Sequence, residues 1–398
     1  AASMPLAAQP AAAQGSAVPG TLTLTPAERT ALFPLKQAVD ARNWAAASAM
    51  LPAARSGVSS AGGRYALARL ELDIALGTQN RAAQIQAINA VLETRQAPAD
   101  EEVELLRQYA AVTYDAGNLN LTEAMLTRAL RAAPNDPEAL SMLAQLHRNR
   151  GNNPQAINFF QRALRAAEAS GRRLPESRYR LALALAEQAG QRAPAVEFAR
   201  LLVSAHPSAI NWRDALIVLR TVGTPDPSQN LDALRLMRAT GALAGERDYM
   251  LLAQALETAG LPGEVKAVLD EGVSRGMIAA ADAAPRALLA SATQRATRER
   301  AGLTALVNQA RGATATATQA RAAGDALYGY GRYAEAAELY RLALTRAGED
   351  PNLVNVRLGA ALAAAGQRAE AEAALRAVTG PRAELAALWL AWATRRAA

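Results

Sequence analysis

Cysteine is absent from all 398 residues. That rules out disulfides, thiolate metal ligation and a lipid-modified cysteine within the sequence, and it says little about compartment. Histidine occurs only at His147 and His206, so no pair stands at the short helical spacing that a transition-metal site uses. Aromatic residues amount to 4%, and a core cannot rest mainly on large rings. No apolar run reaches the ~18 residues of a membrane span. Alternating β-branched stretches bounded by turn residues are nearly missing, which removes strands as a main element. No GxSxG, no Walker-type Gly-Lys pair and no GxGxxG occur; Gly329-Tyr330-Gly331 reads as a helix turn. No catalytic residue, metal or cofactor is expected.

Lysine is confined to Lys36 and Lys266, so nearly all the positive charge is arginine. The net charge of +7 is thin over a chain whose 36 acidic residues are interspersed with the basic ones. Nucleic-acid binders concentrate basic charge on one face, and no such stripe or tail is visible. Arg295, Arg298 and Arg300 with Glu299 read as a solvated helix face, or as a hold for an acidic partner.

What is present is alanine, the best helix former, arranged with a period. Ala129 and Ala163 stand 34 residues apart, as do Gly117 and Gly151. Between them run Leu140, Leu143, Ala144 and His147, then Ala156 and Phe160. Similar sets recur at Tyr249, Leu252, Ala253 and Leu256, at Ala320, Ala323, Gly324 and Leu327 with Ala336 and Tyr340, and at Leu358, Gly359 and Leu362 with Ala371 and Leu375. Small residues let paired helices approach, and large ones such as Phe160 and Tyr340 fill the gap to the next pair. A repeat of this length is an array of helical hairpins. It also explains how a chain longer than the ~250–300 residues of one ordinary core stays folded.

Hairpins are expected to start near 28, 63, 103, 137, 176, 210, 246, 283, 317 and 352. Start signals are explicit in places. Thr25-Pro26 with Glu28, and Asp136-Pro137, each give a cap followed by proline. Asp100, Glu101 and Glu102 crowd a helix start, where negative charge is favourable. Residues 26–209 form an N-terminal array, 210–245 an irregular repeat with a bend at the breaker 221–230, and 246–398 a C-terminal array. Leu385, Leu388, Trp389 and Trp392 share a stripe on the last helix. It either caps the final repeat, or presents Trp389 and Trp392 as a docking contact. His147 falls at a packing position, and His206 before Pro207 reads as solvated.

Residues 1–25 carry no charge. Their tract Ala11-Ala12-Ala13-Gln14 resembles the small-residue region around a signal-peptidase site. The expected setting is therefore a periplasmic or otherwise exported one; a disordered leader on a cytoplasmic protein is the alternative.

The repeated residues resemble the tetratricopeptide repeat family, whose pattern is a large residue, Leu-Gly and an aromatic on the first helix, Ala and an aromatic on the second, and a closing Pro. The match is strongest at 137, 317 and 352. Ala144 stands where the family has Gly, and no Pro follows Ala343. The resemblance implies an all-α, right-handed superhelical solenoid of about ten hairpins with a C-terminal capping helix. It also implies a non-enzymatic scaffold or adaptor that binds a protein or a peptide segment, with no nucleic acid and no membrane span. An accessory subunit of an enzyme or secretion complex whose catalytic part is on another chain, or a cytosolic regulatory adaptor, is the alternative. In that family, first helices of successive hairpins line a groove. Here the groove would take Arg107, Tyr114, Glu138, Gln145, Arg148, Asn149, Arg180, Gln188, Arg321, Asp325 and Tyr328, a mixture of Arg, amide and Tyr suited to polar peptide contacts. The family's carboxylate clamp of Lys and Asn in adjacent repeats is not matched.

Overall fold

Thr25 opens the first helix as expected: its hydroxyl accepts from the Glu28 N–H while the Glu28 carboxylate accepts from the Thr25 N–H. The computed structural model of the chain describes residues 23–222 and 225–395. The leader, through residue 22, lies outside the described residues. All regular structure among the described residues is helical, and the chain divides into two compact units, Ala1–Arg172 and Arg173–Ala398.

Unit 1 is four antiparallel pairs: α1 (Pro26–Asp40) with α2 (Trp44–Ser56), α3 (Ala61–Gly77) with α4 (Arg81–Glu93), α5 (Ala99–Asp115) with α6 (Leu119–Ala132), and α7 (Pro137–Asn149) with α8 (Asn153–Ala169). Gly117 and Gly151 turn the later pairs at φ +76° and +74°, a conformation that costs glycine nothing. Asn43, Asn80, Asn118 and Asn152 cap the second helix of each pair through their side-chain oxygens. The core follows the repeat. Ala129, Ala144, Ala163 and Phe160 are fully buried, and His147 stacks on Phe159 with ring centroids 5.2 Å apart.

The Glu28 carboxylate does more than cap its own helix. It also accepts from the backbone N–H groups of Ser59 and Ser60 and from the Ser60 hydroxyl, tying α1 to the start of α3. A Cβ on Gly63 would lie 2.5 Å from the Glu28 Oε1, so glycine there makes room for the carboxylate. The N–H donors of Thr25, Ser60 and Ser59 hold the Glu28 pKa down to about 2.

Unit 2 continues with α9 (Glu176–Gln188) and α10 (Arg192–Ala205), α11 (Ala209–Val222) and α12 (Pro227–Ala239), and α13 (Glu246–Thr258) and α14 (Pro262–Ser274). Then comes α15 (Ala283–Arg311), one helix of 29 residues where a hairpin was expected from 283. Nothing in it breaks a helix. Its one internal glycine, Gly302, has no left-handed φ and nothing within 4 Å of its Cβ position. Two pairs follow, α16 (Ala317–Gly329) with α17 (Tyr333–Leu344) and α18 (Pro351–Ala364) with α19 (Arg368–Arg376), and after a single 3-10 turn comes α20 (Ala383–Arg395).

Helix α20 packs not only on α19 and α18 but also on α10 and α12, so unit 2 closes on itself. The Trp389 Nε1–H donates to the Asp232 carbonyl at 3.2 Å, and Trp389 is 1% exposed. Arg382 bridges to Asp226 at 2.9 Å and to Asp350 at 3.0 Å, and Arg192 meets Glu384 at 2.9 Å. His206 is not solvated as its turn position suggested: its Nε2 lies 2.8 Å from the Leu174 carbonyl, and Tyr179 packs edge-on against the ring.

Candidate functional site, a tyrosine and arginine cavity in the second unit

Closure of unit 2 brings a set of charges together on its inner side. Arg357 of α18 reaches Asp232 of α12 at 3.1 Å and Asp325 of α16 at 2.6 Å. Arg235 of α12 grips Glu264 of α14 with two parallel bonds of 3.1 and 2.5 Å, and its guanidinium lies over the Tyr328 ring, 4.9 Å from the centroid. The Tyr340 hydroxyl donates to Asp325 at 2.7 Å. All five charged groups are buried. Burial pushes the Asp232 carboxyl up, against the pull of Arg357 and Arg235. Burial also opposes the Arg235 charge, but the paired Glu264 outweighs it and the Arg235 pKa stands well above its usual value. These groups satisfy one another, so this part of the inner wall is filled by the chain itself.

Next to the network lies a cavity of about 710 Å3. Two close approaches shape it. A Cβ on Gly263 would fall 2.5 Å from the Tyr330 ring, and one on Gly329 would fall 2.9 Å from the Glu264 Cβ, so glycines let α14 sit against the end of α16. The Tyr330 hydroxyl donates to Glu299 at 2.8 Å and lies 3.0 Å from the Ala296 carbonyl, which fixes α15 beside them. Burial, then the hydrogen bond to Glu299, pushes the Tyr330 phenol up. On α15, Thr293, Ala296, Thr297 and Arg300 face the cavity at helical spacing. Arg238 comes from α12, Lys266 and Glu271 from α14, Tyr333 from the start of α17, and Trp392 from α20. Tyr328 and Tyr333 meet edge-on at 5.0 Å, and Trp392 stands edge-on to Trp389 at 5.4 Å. Trp389 is therefore the core half of the terminal stripe, and Trp392 the half that reaches the cavity.

Of the expected groove residues, Tyr328 alone lines this cavity. Asp325 is buried at 3% exposure within the charge network, and Arg321 is held by Asp325 at 2.8 Å and Glu349 at 3.0 Å. Arg180 is engaged by Glu176, Asp214 and Asn211, while Gln188 is exposed at the end of α9. In unit 1, Asn149 donates to the Tyr114 hydroxyl across α5 and α7, and Arg107 pairs with Glu104 and with Asp136. Glu138 and Gln145 are half-buried on α7, and Arg148 is exposed. The structure thus joins Tyr114 to Asn149 within unit 1 and Arg321 to Asp325 within unit 2.

The cavity draws on α12 and α14, second helices of their pairs, which is why a rule about first helices overlooked Arg238 and Lys266. Tyr328, Tyr330 and Tyr333, three tyrosines within six residues, were the visible signal. Among the described residues no cluster of His, Asp or Glu fits a metal ion, and no helix is long and apolar enough to cross a membrane.

Residues 114–174 match the tetratricopeptide repeat model. The matched stretch runs from the end of α5 through α8. A tetratricopeptide repeat protein from Parabacteroides merdae is similar at 16% identity and a TM-score of 0.37, over 68% of this chain and 100% of that one. PilF from Pseudomonas aeruginosa is similar at 15% and 0.34, over 54% and 89%. The MamA protein is similar at 15% and 0.32, over 50% and 95%. No curated protein matches the chain in sequence.

Proposed function

We propose that the protein is a non-enzymatic interaction scaffold and that the cavity of unit 2 is where it holds a segment of a partner protein. The observation that carries this reading is the lining: Tyr328, Tyr333, Trp392, Arg238, Arg275 and Arg300 converge on one concave space. Tyr, Trp and Arg are the side chains that dominate binding energy at protein interfaces, and a volume of this order admits a few side chains. The tetratricopeptide segment supports a protein-binding role, and the small-residue tract near residue 11 supports an exported setting.

A photo-crosslinking residue placed at Thr297, on the cavity wall, tests the reading in cells of the source organism. A partner protein should be captured from that position and not from a control at Ala132, on the exposed end of α6. Equal capture from both positions, or turnover of a substrate by the purified chain alone, would overturn it.

A further inference from the structure

We infer that the segment taken by this cavity is acidic, with carboxylates meeting Arg238, Arg275 and Arg300 and a ring or apolar side chain meeting Tyr328, Tyr333 and Trp392. This rests on the reading of the cavity as a protein-binding site, and it follows from a census of donors and acceptors.

The acidic groups at the cavity are already committed. Both Glu264 oxygens are taken by Arg235. Glu271 accepts from Arg238 at 2.8 Å and from Tyr249 at 3.2 Å, and lies 3.4 Å from Arg275. Asp270 is paired with Lys266 at 2.5 Å. Glu299 accepts from Tyr330 and from the Gly263 N–H.

The donors are not used up. A guanidinium carries five N–H groups and no acceptor. Among the described residues Glu271 is the acid that meets Arg238 and Arg275, each through Nε, and Arg275 also meets the Tyr249 hydroxyl, leaving both forks with donors to spare. Arg300 has no acid within salt-bridge distance among the described residues, and it is exposed. The wall is thus rich in unspent cationic donors and poor in free acceptors. A basic segment would find no carboxylate to pair with, and a neutral one would leave the arginine excess unanswered. An acidic segment completes the set, and complementary charge of this kind selects partners and speeds encounter.

The position of lysine supplies a direct test. Of the two lysines in the chain, Lys266 lines the cavity and Lys36 lies in unit 1. A fluorescein-labelled peptide Glu-Glu-Tyr-Glu-Glu-Leu is titrated into the full chain by anisotropy. It is then coupled with a carbodiimide, which joins a carboxylate to an amine in contact with it, and the adduct is mapped by mass spectrometry. Binding should be saturable, the adduct should sit on Lys266, and replacing every Glu of the peptide by Gln should weaken binding at least about tenfold. Arg275→Glu and Arg300→Glu change exposed side chains and should do the same, Arg300→Glu leaving the thermal midpoint in place and Arg275→Glu lowering it slightly, because it sets a carboxylate against Glu271 at a helix C-terminus.

No binding, equal binding of the Gln peptide, adducts only at Lys36 or the N-terminal amine, or indifference to the charge reversals would each overturn the inference. So would displacement by millimolar inorganic phosphate, which would make this a small-anion site. Should Thr297 still capture a partner when the acidic peptide fails, the scaffold reading stands and the acidic segment falls.

Discussion

Gly324 faces the ring of Tyr340 so closely that a Cβ built on the glycine would lie 2.9 Å from the tyrosine Cε1. The ring cannot retreat, because it is fully buried and its hydroxyl is held by Asp325 at 2.7 Å. Gly324→Leu should therefore overpack the α16–α17 pair and destabilise unit 2 by about 1–3 kcal/mol. A denaturant titration of the full chain checks this, and an unchanged midpoint would mean that the pair can open without cost. The same relationship recurs where a Cβ on Gly359 would lie 2.4 Å from the Leu375 side chain. Small against large, one residue per helix, is how an alanine-rich chain gains a tight core without many rings.

Glu28 makes unit 1 sensitive to acid. Its carboxyl titrates near 2 when folded and near its ordinary 4.5 when unfolded, because the folded chain donates the N–H groups of Thr25, Ser60 and Ser59 to the charged form. A depressed folded pKa adds stability that is fully present above the unfolded value and is lost as the pH falls through the folded one. The α1–α3 junction should thus weaken between pH 4.5 and about 2. Glu28→Gln should be less stable than the parent at pH 7, with the gap narrowing steadily across that window. Denaturation at a series of pH values reads it, and a gap that stays constant would show that the carboxylate is not the cause.

Much of the fold was legible because its signals are local. Gly117 and Gly151 turn where the period placed them, Thr25 and Asp136 cap where they were read as caps, and Ala144 and Phe160 are buried. The candidate site was legible only in its three clustered tyrosines, because its other parts are distant in sequence and no local pattern links them. Asp232 and Arg357 are 125 positions apart, and Asp232 and Trp389 are 157. The repeat places Asp325 on a first helix, but Arg357 of α18 and Arg235 of α12, neither visible as its partner in the sequence, put it inside a filled wall. In sequence Arg300 reads as part of a charged helix face; its place beside three tyrosines depends on α15 running unbroken past α14 and α16.

Arg357 should be the most costly side chain to remove from the network. It sits between Asp232 and Asp325, and all three are buried. Arg357→Ala takes from Asp232 its nearest cation, leaving Arg235 at 3.5 Å, and leaves Asp325 with Arg321 at 2.8 Å; losing one partner of a buried ion pair costs about 3–5 kcal/mol. Adding Asp232→Asn should return part of that loss, since the carboxylate that loses its nearest cation is gone. The double variant measured beside each single one decides the point. If the double is worse than Arg357→Ala by the full cost of Asp232→Asn alone, the two residues are not coupled.

The uninterrupted course of α15 makes a prediction of the opposite sign. Gly302 is exposed in the middle of the 29-residue helix, with a helical φ and nothing within 4 Å of where a Cβ would go. Alanine fits there without strain and narrows the freedom of the unfolded chain. Gly302→Ala should therefore stabilise the protein by about 0.4–1 kcal/mol. Had the hairpin expected from 283 formed with its turn at this glycine, the same change would strain a left-handed position and destabilise. Gly331, at φ +74° in the turn between α16 and α17, is such a position, and Gly331→Ala should lower the midpoint where Gly302→Ala raises it. Opposite shifts from one substitution at two glycines only 29 residues apart would establish that α15 is a single rod, and shifts of the same sign would refute it.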